Sequence, residues 1–432
     1  IGYTNNTGPI TLRIGNSILW NNDDDGIDDI FQDLGTPITQ EFSYSLIEGV
    51  DLSATNGLDG TNPANDPLYT NPAGNDFTLQ NTSPVLDRGA NFITNQVVDL
   101  NGAQRIQDGD GDGTDTIDFG AYEVTNPICT PLVDNRVYVD INATGNGDGS
   151  NWANAINQLY DGIALAETCN IPEIWVAEGT YFPKIINPGL PRIHSFVFNA
   201  SELTLIGGFS PGNGAVDLAT RDFRAYQTIL SGDIGVPNDN SDNAYTVIRS
   251  TDLEDFFTMD GFYIEDGNSN STTQNPNNLY SNGGGWFNNV FAESSNPNLK
   301  NIVFRNNNAN FYGGGYYGYS QDNSAGVQAI NVTFQNNSSG QSGAGFSMST
   351  NGISQTVTTN FTNCLFADNS SGGNGGAFSL ANDPAPVTEI NIINCTFANN
   401  TASGDNSVIF TLQDFNDEVR LNINNSIVYS EG

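Results

Sequence analysis

The stretch that decides the fold reads NIVFRNN at 301–307, and it returns as NVTFQNN at 331–337, NCLFADN at 363–369 and NCTFANN at 394–400. A weaker copy, NSIVYSE, stands at 425–431. Counted between first residues (301, 331, 363, 394 and 425), the intervals are 30, 32, 31 and 31. A second marker lies between the copies: Gly283-Gly284-Gly285, Gly313-Gly314-Gly315, Gly343-Ala344-Gly345 and Gly375-Gly376-Ala377. Two markers sharing one period identify a repeat. Leucine-rich repeats are shorter and built on a leucine grid, and propeller blades are longer. A unit of about 31 residues with short β-rich segments fits one coil of a parallel β-helix. The expected fold class is therefore all-β, a parallel β-helix solenoid.

In such a solenoid equivalent residues lie about 4.8 Å above one another, so like stacks on like. Phe304, Phe334, Phe366 and Phe397 are predicted to form an internal aromatic stack. Asn301, Asn331, Asn363 and Asn394 are predicted to form amide ladders at the turns, because Asn both donates and accepts. Asn307, Asn337, Asn369 and Asn400 follow three residues after each phenylalanine. The glycines supply turn conformations with positive φ. Cys364 and Cys395 share one slot in successive coils and read as small buried stack members.

Composition agrees with this reading. The 432 residues include 47 Gly and 62 Asn, 49 Asp+Glu against 12 Lys+Arg, and a net charge of −37. Only Lys184 and Lys300 are lysines. A surface this anionic repels phosphate backbones, so nucleic acid is excluded as a partner. No apolar run is long enough to span a membrane. With so few Lys, Met and Cys, the expected location is extracellular or at the cell surface.

Residues 124–135 carry two prolines and no strand pattern, and read as a linker. After it, Tyr138-Val139-Asp140 reads as a first strand and Trp152 to Cys169 as a helix, an N-terminal cap for the coils of 136–432. Residues 1–123 read as the C-terminal coils and terminal segment of a preceding module. Leu12 to Trp20 (LRIGNSILW) aligns with Leu421 to Tyr429 (LNINNSIVY) at a separation of 409 residues. The chain is thus expected to be a window onto a tandem array, with other modules of the same chain as its first partners.

Phe304-Arg305-Asn306-Asn307 and its copies, interleaved with Gly-Gly-Ala/Gly, resemble the repeats of polymorphic outer-membrane adhesins. The larger pattern resembles the right-handed parallel β-helix modules of large secreted surface proteins of the Bacteroidota. Trp152-Ala153-Asn154-Ala155, Glu173 to Tyr181 (EIWVAEGTY) and Leu205-Ile206-Gly207-Gly208-Phe209 are similar to that family's module start. Asp66-Pro67-Leu68-Tyr69, Ser83-Pro84-Val85-Leu86-Asp87 and Asp118 to Glu123 (DFGAYE) are similar to its module end. The resemblance implies right-handed coils and a cell-surface, adhesive or filament role.

Candidate chemistry is sparse. The single histidine, His194, lacks the neighbours of a catalytic site and reads as a satisfied surface residue. Asp108, Asp110 and Asp112 stand at positions 1, 3 and 5 of a calcium-loop pattern, with Gly113 at 6. Phe119 occupies position 12, so Asp118 or Glu123 would have to substitute for the usual Glu; Ca²⁺ is the expected ion. Asn21 to Asp29 is a second acidic loop. Cys129 in the linker and Cys169 at the helix end either form a bridge in an oxidising compartment or remain two thiols. Trp286, Tyr316, Tyr317 and Tyr319, following the Gly triplets, offer a sugar-stacking strip if they face solvent. The function expected is a non-enzymatic structural and adhesive module, able to meet surface glycans or a host or abiotic surface. The alternative is a polysaccharide-binding or polysaccharide-degrading β-helix.

Overall fold

In a computed structural model the described residues are 10–21, 38–80, 83–93, 96–109, 114–124, 134–199, 202–253, 256–273, 275, 278–291, 295–321, 326–351, 357–383, 387–404, 408–412 and 418–429. The chain forms two units, Ile1–Thr130 and Pro131–Gly432. The division falls within the predicted linker, of which residues 125–133 lie outside the described residues.

The second unit is a parallel β-solenoid, and its recurring heptad explains why. In each copy a three-residue strand, such as Val303–Arg305, is bracketed by two residues in the left-handed region. Asn301 has φ 52° and Asn306 58°; Asn331 and Asn336 have 56° and 54°; Asn363 and Asp368 have 55° and 56°; Asn394 and Asn399 have 56° and 53°. Asn and Asp tolerate this conformation better than other residues with a Cβ, so the backbone turns sharply at both ends of the strand. Gly283, Gly313, Gly343 and Gly375, each with φ between 61° and 64°, supply a further corner.

Strands between corners stack in register into three long parallel sheets of nine, eight and seven strands and one short sheet of five. The nine-stranded sheet runs from Val137–Val139 to Glu418–Asn424, and the eight-stranded sheet from Gly179–Tyr181 to Ile427–Tyr429. The seven-stranded sheet begins at Phe196–Phe198 and ends at Ile409–Leu412. The interior is one continuous apolar core.

Among the described residues there is one α-helix, α1 (Leu159–Cys169). Leu159, Ile163 and Ala166 join the solenoid core beside Val137 and Val139. The helix is shorter than the predicted Trp152–Cys169. Asn151 accepts from the N–H groups of Ala153 and Asn154 and holds a 3₁₀ turn at Trp152–Asn154. Ile156 then pairs with the first strand, donating to Tyr138 O and accepting from Asp140 N–H, both at 2.9 Å. Helix and ladder compete for the same backbone groups, and the ladder prevails up to Ile156.

In the first unit Ile10–Gly15 pairs in parallel with Ile38–Ser43, and Ile18–Leu19 with Leu46–Ile47. Asn16, φ 51°, stands at the corner between strands, as Asn425, φ 53°, does between Glu418–Asn424 and Ile427–Tyr429. The aligned segments 12–20 and 421–429 thus share one strand-corner-strand course.

Candidate functional site

The most built feature of the molecule is its interior. Phe304, Phe334, Phe366 and Phe397 face inward and are buried. Their ring centroids follow at 5.0, 4.8 and 4.8 Å, with planes 3°, 13° and 6° apart. A second column, Tyr316, Phe346 and Phe378, stacks at 4.9 and 5.3 Å. The columns meet edge to face, with Phe304 against Tyr316 at 79° and Phe334 against Phe346 at 81°. Register dictates the parallel stacking within a column, and the edge contacts between columns match the quadrupole preference of the rings.

The buried amide ladder is built from different residues than those predicted. Asn331, Asn363 and Asn394 are exposed and Asn301 half-buried, each serving as a left-handed corner. Asn331 Nδ2 reaches Asn301 Oδ1 at 3.2 Å, and Asn301 Nδ2 donates to Asp260. The continuous interior ladder is Asn307, Asn337, Asn369 and Asn400. Asn337 Oδ1 accepts from both the backbone N–H and Nδ2 of Asn307, each at 3.1 Å. Its Nδ2 donates to Phe304 O and Asn369 Oδ1, each at 3.0 Å. Asn369 repeats the pattern with Asn400. A turn facing inward leaves backbone groups without water, and the amide satisfies them coil by coil.

An outer ladder, half-buried at Gln328, Asn360 and Asn391 and exposed at Asn422, escaped the sequence reading. Asn360 Nδ2 donates to Gln328 Oε1 at 2.7 Å, Asn391 Nδ2 to Asn360 Oδ1 at 2.9 Å and Asn422 Nδ2 to Asn391 Oδ1 at 2.9 Å. Its signal was present: Asn360, Asn391 and Asn422 each precede a corner asparagine by three residues.

The predicted sugar-stacking strip is overturned. Trp286, Tyr316 and Tyr317 are completely buried and Tyr319 is 8% exposed. Trp286 and Tyr316 belong to the solenoid core, where Trp286 Nε1 donates to Ser250 Oγ and Tyr316 Oη accepts from Asn288 Nδ2. Tyr317 and Tyr319 sit on the opposite face of their strand, covered in a second cluster with Phe287, Leu279 and Tyr312. No ring of the four presents a face to a sugar.

Cys364 and Cys395 are buried free thiols in successive coils, with Cys364 N–H at 3.4 Å from Cys395 Sγ. Cys169 is disulfide-bonded. Cys129 lies outside the described residues. His194 accepts from Asn187 N–H through Nε2 at 3.0 Å. It lines an open cleft of about 340 Å³ with Lys184, Glu167 and Arg249.

Of the predicted calcium ligands, Asp110 and Asp112 lie outside the described residues, as does most of the second acidic loop. Asp118 is completely buried. Its Oδ1 accepts from Asp87 N–H at 2.8 Å and its Oδ2 from Val124 N–H at 2.7 Å. Its own N–H donates to Glu123 Oε2 at 3.0 Å, and Glu123 Oε1 pairs with Arg105 at 3.0 Å. Asp118 thus has a structural role, tying the segment 87–124 together. A Cβ built on Gly109 would lie 3.4 Å from Asp118 Oδ1 and 3.5 Å from Asp87 Oδ2, so the Asp108 turn runs directly beside these carboxylates. Among the described residues, no three His, Cys, Asp or Glu side chains form a metal-holding group.

Burial pushes Asp118 up to about 6, against the pull of its two N–H donors, and pushes Glu123 up to about 8, which Arg105 offsets only in part. Both groups hold protons more tightly folded than unfolded, so the folded unit binds more protons between pH 4 and 8, and its stability falls as pH rises through that window. Hydrogen exchange at the Phe119 amide, which donates to Val85 O at 3.2 Å, is expected to report this: corrected for intrinsic rate, opening is more frequent at pH 8 than at pH 5. Asp118→Asn with Glu123→Gln is expected to flatten the slope.

No protein-family profile, curated protein or solved structure matches this chain.

Proposed function

We propose that this chain is a non-enzymatic structural and adhesive segment of a large cell-surface or extracellular repeat protein, of the kind its repeats resemble in the Bacteroidota. On this reading the coils are right-handed, α1 caps the solenoid of residues 136–432, and the 1–123 segment closes a preceding module. The observation that carries the reading is the interior: aromatic columns and the Asn307–Asn400 ladder fill it with side chains that join coil to coil. Such ladders make a stiff rod, because bending it breaks stacked contacts at every level. The matching strand-corner-strand courses at 12–20 and 421–429 support a tandem array. Net charge of −37 keeps such an array extended. Ca²⁺ at the Asp108–Asp118 turn, beside Asp87 and Asp118, would offset local repulsion. Neighbouring modules, surface glycans or an abiotic surface are the partners this chemistry suits. Among the described residues no helix is long and apolar enough to cross a membrane. The polysaccharide alternative loses the aromatic strip that motivated it.

Electron cryo-microscopy of the intact secreted protein, with and without a calcium chelator, tests the reading. Long rods with a regular module repeat are expected, softening when calcium is removed. Compact single particles under both conditions overturn the array.

A further inference from the structure

Independently of that reading, we propose that Cys364 and Cys395 are a modification site: a thiol pair that a disulfide-bearing oxidant converts into a bridge stapling successive coils. The two residues fill one slot, directly after the corner asparagines Asn363 and Asn394, and both are buried. The ladder fixes their register on either side. Asn363 N–H donates to Ile393 O at 3.0 Å, Thr396 N–H donates to Cys364 O at 2.9 Å, and Leu365 pairs with Thr396. A rise of about 4.8 Å per coil lies within the Cα separation that a disulfide spans, about 4.4–6.8 Å. The slot also aims its γ atom at the preceding coil. Cys364 N–H donates to Cys395 Sγ at 3.4 Å, as Cys395 N–H does to Ser426 Oγ at 3.1 Å and, in the first unit, Ser17 N–H to Ser45 Oγ at 3.2 Å. Serine completes this contact without redox chemistry; cysteine in two successive coils adds it.

The two thiols touch and are chemically unequal. The Cys364 thiol donates to Cys395 Sγ, and this bond, joined by Cys364 N–H, lowers Cys395 to about 7 despite burial. The same bond and burial hold Cys364 above the ordinary thiol range. Cys395 is therefore the attacking sulfur, since the thiolate is the nucleophile. It displaces one thiolate from the oxidant and forms a mixed disulfide. Cys364 then gives up its proton and turns from its contacts with Thr362 O at 3.4 Å and Ala329 O at 3.6 Å. Its sulfur attacks Cys395 Sγ and releases the second thiolate. Two cysteine thiols lose two electrons, one oxidant disulfide is reduced to two thiols, and these carry away the two protons. Both sulfurs are enclosed once the coils have closed, so the oxidant acts while this part of the solenoid opens or is still forming. Cys169 of the same unit is disulfide-bonded, and conditions that keep that bond favour this one.

The test uses the full chain and oxidised glutathione as probe, added to the folded protein and, separately, during refolding of the reduced protein. Alkylation of thiols in denaturant, followed by peptide mapping, reads the result. Joint loss of both thiols under at least one treatment, with a peptide joining Cys364 to Cys395, is expected. The bridge spans 31 positions, so the folded-to-unfolded ratio in urea is expected to rise about a hundredfold. Cys364→Ser with Cys395→Ser keeps the γ contact of the slot and the Cys169 bond, and shows no such rise. Two thiols that stay free under both treatments overturn the proposal, as do separate glutathione caps or a bridge from either residue to another cysteine. A bridged chain no more stable than the serine variant overturns the staple.

Discussion

Replacing Phe334 by Ala is expected to destabilise the solenoid by about 3–5 kcal/mol, the range for truncating a large buried aromatic. Phe334 is enclosed by Phe304 at 5.0 Å, Phe366 at 4.8 Å and the edge of Phe346 at 6.1 Å. Its strand is locked in register above and below, Phe304↔Phe334 and Phe334↔Phe366, so neighbouring coils cannot close over the void. The cavity therefore persists, and its unmade contacts add to the lost transfer energy. Urea unfolding monitored together with site-resolved hydrogen exchange checks this. The loss is expected to concentrate in coils 301–400, leaving α1 nearly unaffected, because each coil contacts only its neighbours. A measured loss below about 1 kcal/mol would show that the column contributes little.

Asn337→Ala is expected to cost a similar amount, about 3–5 kcal/mol, for a different reason. The substitution strands two donors of Asn307 and takes one donor each from the carbonyl of Phe304 and from Oδ1 of Asn369, which keeps the Asn337 backbone N–H at 3.1 Å. Each buried group left unmet costs about 1–3 kcal/mol, less whatever a water entering the gap recovers. Asn331→Ala is the matched control, since that side chain is exposed and φ is 56°. It loses the left-handed preference of Asn and one exposed amide contact, about 1–2 kcal/mol. The ranking of the two variants is the decisive readout. Equal losses would mean that the corner asparagines, not the interior ones, carry the ladder. The two large effects are not expected to add, because Phe304 O links the aromatic column to the amide ladder.

The two asparagines of each heptad show how far sequence reading reaches. Position one and position seven are the same residue type at the same period, and both suit turns and ladders. Only the backbone course distinguishes them: position one adopts positive φ and points to solvent, whereas position seven follows a second left-handed corner and turns inward. The signal was incomplete rather than absent, because two corners around a three-residue strand require a second left-handed residue at position six. Asn306, Asn336, Asp368 and Asn399 supply it. The outer ladder of Asn360, Asn391 and Asn422 was equally periodic, but it sits on a solvent face where periodicity carries no hydrophobic partner to mark it.

The candidate sites were read less well, for a physical reason. Tyr317 and Tyr319 lie on the face of their strand opposite the core, where alternation alone predicts exposure. They are buried because Phe287, Leu279 and Tyr312 cover them, a contact no local pattern announces.

The sequence alone determined the period, the stacking of like on like, the identity of the aromatic column and the placement of glycine and asparagine at corners. These follow from local conformational preference and from a repeat that places equivalent residues one above another. Tertiary structure decided which asparagines are buried and which aromatics are covered. Those outcomes depend on contacts between segments tens of residues apart, and a period of 31 leaves the facing of each stack undetermined until the corners and covering loops are in place.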